Sequence, residues 1–278
     1  MIDYKYHITT LVAIFLALGI GMLVGSMILG TDFIEGQQQS LVNQLEHDFR
    51  EMRLQHGLIK SELATAVKTI NTYQNFSAQV MPIIIKNKLE EQNIVIVQTN
   101  NDFDIQEIID PLKVAGAKVN SIISIMDDFS LTNVSSSVPS GLDNGNQLIQ
   151  ALGKSILFGD NQKVVSHLAK KKLIKLTGDL GGLIDTVILV GGSVRGEQGQ
   201  WVDMELLDCF IKNNMNVIGV EPSAVTYSYM NIYQAKHIVT IDNIDTVPGK
   251  VALVYSLLGE KGDFGTKKTS KKLIPSIW

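Results

Sequence analysis

Glycine and serine directly after an apolar run are the first residues whose types and spacing suggest chemistry. Gly191, Gly192 and Ser193 follow the run 187–190, and successive backbone N–H groups in such a turn form a nest for an anion. A turn that needs glycine explains the same residues, and we favour this interpretation. The loop 99–102 contains no glycine, and neither loop has the G-x-G-x-x-G spacing. The sequence therefore predicts no dinucleotide-binding fingerprint.

A second polar set lies near the C-terminus. Asp242, Asn243 and Asp245 follow an apolar run and offer oxygen ligands for a cation. The chain then continues into Thr246-Val247-Pro248-Gly249, the pattern of a capping residue before a proline at a helix start. We interpret Asp245 or Thr246 as a helix N-cap, in preference to a cation site.

The remaining reactive side chains predict no reaction. The five histidines are scattered, at positions 7, 47, 56, 167 and 237, and no serine lies in a G-x-S-x-G elbow. Cys209 is the only cysteine, which excludes an intrachain disulfide and a four-cysteine zinc site. It lies in a helix-like run, 204–211, and we expect a core residue there more than a reactive thiol. We expect no enzyme, no catalytic residue and no cofactor.

The charge balance argues against a nucleic-acid partner, because the formal net charge is −4. Two local clusters are basic: 170–172, and a C-terminal tail, 263–278, with Lys267, Lys268, Lys271 and Lys272. We expect both to be solvated. The alternative is contact with an anionic envelope polymer or lipid.

An N-terminal apolar segment predicts a membrane anchor, residues 1–31. From Ile8 to Gly30 the chain contains no charged residue and no histidine, and the segment is long enough to cross a hydrocarbon core of about 30 Å. A cleaved secretory signal is the alternative, but its apolar core is shorter, about 7–15 residues. Lys5 precedes the segment, whereas the first basic residue after it is Arg50. This asymmetry predicts a single-pass protein of the cell membrane, with a cytoplasmic N-terminus and an extracytoplasmic C-terminal domain.

Small residues line one face of this predicted helix. Ala13, Ala17, Gly21 and Gly25 follow one another at i+4 steps, and Gly21 and Gly25 form a GxxxG motif that lets two helices approach closely. The face predicts self-association within the membrane lipid. The general abundance of Gly and Ala in membrane helices is the alternative explanation.

Residues 32–80 predict a coiled-coil stalk. Apolar residues recur there at alternating steps of three and four, with Leu41 and Leu45 upstream after a stutter. The seam positions are Phe49, Met52, His56, Ile59, Leu63, Ala66, Ile70 and Tyr73. We expect a parallel homodimer, in which His56 sets the register and is neither a pH switch nor a metal ligand. A single amphipathic helix lying on the globular domain produces a similar stripe and is the alternative.

From residue 81 to 262 the pattern changes to short β-branched runs separated by helix-like segments, which predicts an α/β domain with a doubly wound, mostly parallel, Rossmann-like sheet. The predicted strands are Asn93–Gln98, Lys118–Ile125, Thr186–Val190, Asn216–Val220 and His237–Ile241. The predicted helices are Ile105–Ala115, Asn146–Phe158, Trp201–Asn213 and Lys250–Leu258. The segment Ser130–Asn144 is rich in Ser, Asn, Gly and Pro and predicts a long surface loop.

Both ends of the chain resemble one family. The opening Ile2-Asp3-Tyr4-Lys5-Tyr6-His7-Ile8, with Ala13–Gly21 and Gly25-Ser26 after it, resembles the start of the MctB proteins, a family of copper transporters. The segment Val239–Val254, followed by Gly262-Asp263-Phe264-Gly265-Thr266, is similar to that family's closing segment. The two stretches occur in this chain in the same order as in the family.

The resemblance implies two classes of function. Family members are described as envelope proteins for copper efflux with a proposed outer-membrane channel, whereas SteB-like members are described as coiled-coil partners that help to control cell-wall hydrolases. One membrane helix does not form a pore alone, and the nine methionines are dispersed, with Met22 and Met27 the only pair in the membrane segment. We therefore assign no metal ligand. We expect a dimeric scaffold or regulator with an envelope partner such as a cell-wall hydrolase or its regulator; the alternative is a component of copper transport or efflux.

Overall fold

The computed structural model describes residues 4–30, 32–126, 129, 144–196 and 199–276. It divides the chain into two units, Met1–Thr72 and Tyr73–Trp278. The predicted loop 130–144 lies outside the described residues except for Asn144.

The N-terminal helix α1 runs from Tyr4 to Gly30. Its span Tyr4–Met27 has a mean hydropathy of 2.4 and is long and apolar enough to cross a membrane, and no part of that span is buried in the structure. The hydroxyl groups within it are satisfied locally: Thr9 Oγ1 donates to the Lys5 carbonyl oxygen at 2.8 Å, and Thr10 Oγ1 to that of Tyr6 at 3.1 Å. Such internal bonds suit a segment surrounded by lipid, where no water is present to accept them.

The second helix, α2, runs without interruption from Asp32 to Ile85 and is longer than the predicted stalk, 32–80. Its long polar and charged side chains favour helix, and the only proline, Pro82, lies in the last turn. Asn87, with φ at 55°, follows the helix in the left-handed conformation that commonly ends helices.

The second unit contains one seven-stranded sheet in the order β3-β2-β1-β4-β5-β6-β7. The strands are β1 Asn93–Gln98, β2 Lys118–Ile125, β3 Ile174–Gly178, β4 Thr186–Val190, β5 Asn216–Val220, β6 Val239–Ile241 and β7 Asp263–Phe264. All neighbouring pairs are parallel except β2 and β3, which are antiparallel. The predicted doubly wound, mostly parallel sheet is confirmed.

Helices cover both faces of the sheet. They are α3 Gln106–Val114, α4 Gly145–Phe158, α5 Gln162–Lys170, α6 Gln200–Lys212, α7 Met230–Ala235 and α8 Val247–Leu257. In β4, Val187 and Leu189 belong to the core beneath α4, α5, α6 and α7, whereas Ile188 and Val190 belong to the opposite core, beneath α3, α8 and the end of α2. Alternate side chains of the strand are therefore buried on opposite faces, which explains its continuous apolar run.

The sheet continues past residue 262, where we placed the boundary between the α/β domain and a basic tail, 263–278. Strand β7 begins at Asp263 and pairs with β6, so the sheet continues past that boundary. Beyond β7, Lys267 Nζ donates to Glu221 Oε1 at 2.6 Å, and the Glu221 side chain is fully buried. The expectation that this basic cluster is solvated therefore fails for Lys267, because a buried carboxylate needs a cation.

We expect Lys267→Met to destabilise the second unit by about 2–4 kcal/mol, because the variant leaves the Glu221 carboxylate buried without its cation. The measurement is urea unfolding at pH 7, followed by tryptophan fluorescence in detergent. Lys268→Met is the matched control, since Lys268 is an exposed neighbour, and its effect should stay below about 0.5 kcal/mol. Equal destabilisation by the two substitutions would contradict a stabilising role of the ion pair.

Candidate functional site

The candidate site lies where the strand order reverses direction. Strand β1 is flanked by β2 on one side and by β4 on the other, so the connections after β1 and β4 diverge at the carboxyl edge of the sheet. The loop Thr99–Asp102 follows β1, and the loop Gly191–Arg195 follows β4. A crevice forms between these two loops.

The loop after β1 is held by its own amide side chains. The buried Gln98 donates from Nε2 to the carbonyl oxygens of Asn100 at 2.7 Å and Phe103 at 2.8 Å. Asn100 Oδ1 accepts from the backbone N–H of Asp102 at 3.1 Å, which sets the direction of the Asp102 side chain. Asn101 Nδ2 donates to the Ile125 carbonyl oxygen at 2.6 Å and ties the loop to the end of β2.

The loop after β4 needs its glycines for steric reasons. A Cβ at Gly191 would overlap the Tyr233 hydroxyl and the Asp203 carboxylate, and Gly192 has φ at 78°. The backbone N–H groups of Gly191 and Ser193 donate to the carbonyl oxygens of Val220 at 2.9 Å and Tyr227 at 3.0 Å. The anion-nest hypothesis for residues 191–193 is wrong, because two of the three amides are occupied by backbone acceptors.

An ion pair joins the two loops across the crevice. Arg195 Nη2 lies 2.8 Å from Asp102 Oδ1, with the Arg195 side chain 71% exposed and that of Asp102 35% exposed. Ser193 Oγ accepts from the backbone N–H groups of Arg195 at 3.1 Å and Gly196 at 3.3 Å, which fixes the turn that carries the arginine. Neither Asp102 nor Arg195 was predicted to be a site residue, because the only local signal for them is their position after the end of a strand.

The crevice encloses a cavity of about 330 Å³, within the range of small-ligand sites. Its lining includes the polar and charged residues Thr99, Asn101, Asp102, Ser193 and Arg195. It also includes the apolar and aromatic residues Ile125, Met126, Phe129, Val202 and Tyr229. The cavity therefore offers both polar and apolar contacts to a small ligand.

A buried carboxyl group lies beneath the crevice. Asp203, in the first turn of α6, is 1% exposed and accepts a hydrogen bond from the Tyr233 hydroxyl, while its Oδ1 atom has no partner among the described residues. Burial raises the pKa of Asp203 to about 7, against the lowering effect of the Thr99 and Tyr233 hydroxyls. Burial also raises the pKa of Tyr233, and the nearby Asp203 raises it further. The Asp203 carboxyl group therefore keeps its proton to a higher pH than an exposed aspartate does.

The two carboxylates after β6 are hydrogen-bonded within the protein. Asp242 accepts from the backbone N–H groups of Thr266 at 2.7 Å and Lys267 at 3.0 Å and from the Ser270 hydroxyl, and Asp245 accepts from Ser223. The side chain of Asn243, between them, is buried, and its two polar atoms have no partner among the described residues. Because both carboxylates are occupied by protein donors, we do not assign the cation site that we considered to Asp242, Asn243 and Asp245. The Thr246 side chain accepts from the Gly249 N–H at 3.2 Å, so the predicted cap of α8 is confirmed.

The other residues singled out from the sequence lie apart from the crevice. Cys209 is 5% exposed, its sulfur would touch a Cβ at Gly153, and burial raises its pKa, which together confirm a core role. Over the ranges that the structure describes, no group of three or more His, Cys, Asp or Glu side chains could hold a metal ion. The small-residue face Ala13, Ala17, Gly21 and Gly25 lies on α1, and the seam Phe49–Tyr73 lies on α2.

The fold and the crevice define a class of protein: an open α/β domain of Rossmann-like strand order, in a chain that also carries one helix of membrane-spanning length. Residues 1–275 match the family described as "Copper transport outer membrane protein, MctB", and the chain belongs to this family. The resemblance seen at the two ends of the chain is thereby confirmed.

Relatives named Copper transporter MctB match almost the whole chain. Those of Mycobacterium tuberculosis (strain H37Rv) and Mycobacterium bovis are each 24% identical over 311 residues, which cover 96% of this chain and 96% of the relative. That of Mycobacterium leprae is 22% identical over 315 residues, covering 95% of this chain and 96% of the relative. The similarity thus extends through both units.

We expect Asp203→Asn to remove a pH dependence of stability. The folded-state pKa of about 7 lies above the ordinary value of 3.8, so the stabilisation is complete below about pH 4 and is lost as the pH rises through 7. Between about pH 4 and pH 7, ionisation of the Asp203 carboxyl group should lower the wild-type free energy of unfolding by up to about 1.4 kcal/mol per pH unit. The variant, which keeps an acceptor for Tyr233, should lose that slope.

The measurement is a series of urea unfolding curves between pH 4 and pH 8. Asp110→Asn is the control, because Asp110 is a solvent-exposed carboxylate that lies 3.8 Å from Lys113 Nζ, and this variant should keep the wild-type slope. If the free energy of unfolding of Asp203→Asn depends on pH as steeply as that of the wild type, the Asp203 carboxyl group is not the source of this dependence.

Proposed function

We propose that the chain is a single-pass envelope protein that acts as a parallel homodimer and serves as a scaffold or regulator for other envelope proteins. The observation that carries the proposal is the exposed apolar stripe of α2. Membership of the MctB family and the N-terminal helix of membrane-spanning length support an envelope location. We infer the orientation, with a cytoplasmic N-terminus, from Lys5 and Arg50 alone.

The stripe needs a partner because its side chains are too large and apolar for a solvated helix. Phe49 is 57% exposed, Leu63 62% and Tyr73 68%. Their spacing alternates between three and four residues, so a second copy of the same helix buries them along a single seam. A helix that is exposed to water on all sides carries polar residues at such positions.

The charges beside the seam support a parallel arrangement. Asp48 precedes the seam position Phe49, and Arg53 follows the seam position Met52. In a parallel dimer in register, these flanking positions face each other, so Asp48 of one copy pairs with Arg53 of the other. Insertion of both anchors into one membrane also requires the two copies of α2 to start on the same side.

Transport of copper is the second candidate function, and the description of the family and the name of the relatives favour it. In that case the copper ion is the cargo, and the chain must offer it soft ligands gathered in space. Among the described residues no group of three or more His, Cys, Asp or Glu side chains could hold a metal ion, and the nine methionines are dispersed along the sequence, which is why we prefer the scaffold.

Cysteine crosslinking tests the dimer. In a Cys209→Ala background in native membranes, Leu63→Cys and Ile70→Cys should form disulfide-linked dimers, because equivalent seam positions of a parallel pair lie within disulfide distance. Ser61→Cys and Lys68→Cys are the matched controls two positions away, and they should remain monomeric. Efficient crosslinking at all four positions, or only between unlike positions, would contradict a parallel seam.

A charge in the seam separates the two functions in the cell. Leu63→Glu should break the dimer and disturb cell-wall hydrolysis or division while copper tolerance stays at the wild-type level, with Ser61→Glu as the control. The measurements are growth on graded copper and the rate of cell-wall autolysis, at matched protein levels. Lost copper tolerance with normal autolysis would overturn the scaffold proposal and support copper transport.

A further inference from the structure

We propose that a groove at the amino edge of the sheet, where the parallel strands begin, binds a small phosphate monoester that carries an apolar group. The groove lies among the starts of β5, β6 and β7, at the opposite edge from the crevice, and all its lining residues belong to the second unit. The inference goes beyond the scaffold role and does not depend on it.

The groove exists because neighbouring strands begin at different levels. Strand β5 begins at Asn216, but its pairing with β6 begins only at Ile218 and Val239. The pairing of β6 with β7 begins one residue later, at Thr240 and Asp263. In this pairing the first two residues of β5 have no partner on the β6 side, and the sheet steps back from its edge. The recess has a volume of about 620 Å³, within the range of small-ligand sites.

Some of the cationic side chains of the lining are held by carboxylates. Lys236 pairs with Asp208, and Lys271 Nζ lies 2.7 Å from Asp263 Oδ2. Each ammonium group has three N–H donors and uses one of them in its ion pair. The paired lysines therefore keep donors for a ligand, and the ion pairs hold them in place.

Two other lining groups are not engaged by the protein. Lys261 and His237 are exposed and form no ion pair with any residue in the described part of the chain. The lining residues, their neighbours in sequence and the partner of Lys236 together contain more lysines than carboxylates. The lysines are Lys212, Lys236, Lys261, Lys271 and Lys272, and the carboxylates are Asp208, Glu260 and Asp263. This part of the surface is thus basic, although the formal net charge of the chain is −4.

This excess of positive charge selects an anion, and the number of donors favours a phosphate over a carboxylate. A phosphate monoester carries nearly two negative charges above its second pKa and has three terminal oxygens that accept hydrogen bonds. Lys261, His237 and the remaining donors of Lys236 supply partners for more than two of them. A carboxylate has one charge and two oxygens, so it would leave part of this set unused.

The same groove offers apolar contacts. Its lining includes Ile211, Met215, Val217, Ile238 and Val239. Ile211 is 36% exposed, so part of its apolar surface lies in water without a ligand. An apolar group attached to the phosphate removes such surface from water, which inorganic phosphate cannot do. We therefore infer an ester and not free phosphate as the ligand.

The test is isothermal titration calorimetry on the full chain in a non-ionic detergent, at a pH above the second pKa of the phosphate. The probes are phenyl phosphate, inorganic phosphate and benzylammonium. Phenyl phosphate should give saturable binding, and inorganic phosphate should bind several-fold more weakly because it lacks the ring. Benzylammonium has a similar ring with the opposite charge and should not bind.

Substitutions locate the site. Lys261→Met should weaken the binding of phenyl phosphate about tenfold through the loss of a charged hydrogen-bond donor, whereas Lys268→Met, at an exposed lysine outside the lining, should not. Ile211→Glu places a carboxylate in the lining and should weaken binding at least as much. Met204→Glu is its matched control, because Met204 is 39% exposed on the same helix, α6, and lies outside the lining. Circular dichroism melting curves show whether each variant is folded.

Three outcomes would overturn the proposal. The first is no saturable heat with phenyl phosphate up to about 10 mM, roughly the upper limit for a useful small-ligand site. The second is equal binding of inorganic phosphate or of benzylammonium. The third is wild-type affinity for phenyl phosphate in folded Lys261→Met and Ile211→Glu variants, which would place any binding outside the groove.

Discussion

The buried carboxylate of Glu221 is the constraint on which much of the α/β unit depends. It lies at the end of β5 with no exposed surface, and an uncompensated charge in that position would cost several kcal/mol. It accepts from the Ser228 hydroxyl at 2.6 Å, from the Tyr229 backbone N–H at 3.0 Å and from Lys267 Nζ at 2.6 Å. One side chain therefore fixes the segment that places Tyr229 against the crevice and the C-terminal segment that follows β7.

The two halves of the carboxyl edge satisfy their polar groups in different ways. At β6, Asp242 is enclosed by the backbone of Thr266 and Lys267, and a Cβ at Gly265 would overlap that carboxylate. At this half the chain itself supplies the hydrogen-bond donors around the Asp242 carboxylate. The loops after β1 and β4 are held by the hydrogen bonds described above, and the ion pair of Asp102 and Arg195 lies at the surface. The polar groups of these loops form hydrogen bonds and an ion pair within the protein. These contacts do not fill the crevice, so it remains open.

The sequence predicted the buried elements well and the edges poorly, for physical reasons. Continuous apolar runs such as Thr186–Val190 are buried on both faces and leave a strong local signal. Strand β3, Ile174–Gly178, is an edge strand with mixed exposure, and the two-residue strand β7 exists only through its pairing with β6. The pairing of Asp102 with Arg195 joins positions 93 residues apart, and no local pattern encodes such a contact. The local pattern did locate the loops after β1 and β4, because parallel strands present their carboxyl ends at the same edge of the sheet.

Each part of the chain places its apolar side chains differently. The apolar surface of α1 is continuous around the helix, and its span Tyr4–Met27 is long and apolar enough to cross a membrane. On α2 exposed apolar side chains recur at steps of three and four residues, and polar and charged side chains lie between them. The α/β unit buries its apolar side chains in two cores, one on each face of the sheet. Because these apolar surfaces belong to different elements, a substitution in one of them, such as Leu63→Glu in α2, leaves the apolar surfaces of α1 and of the sheet unchanged.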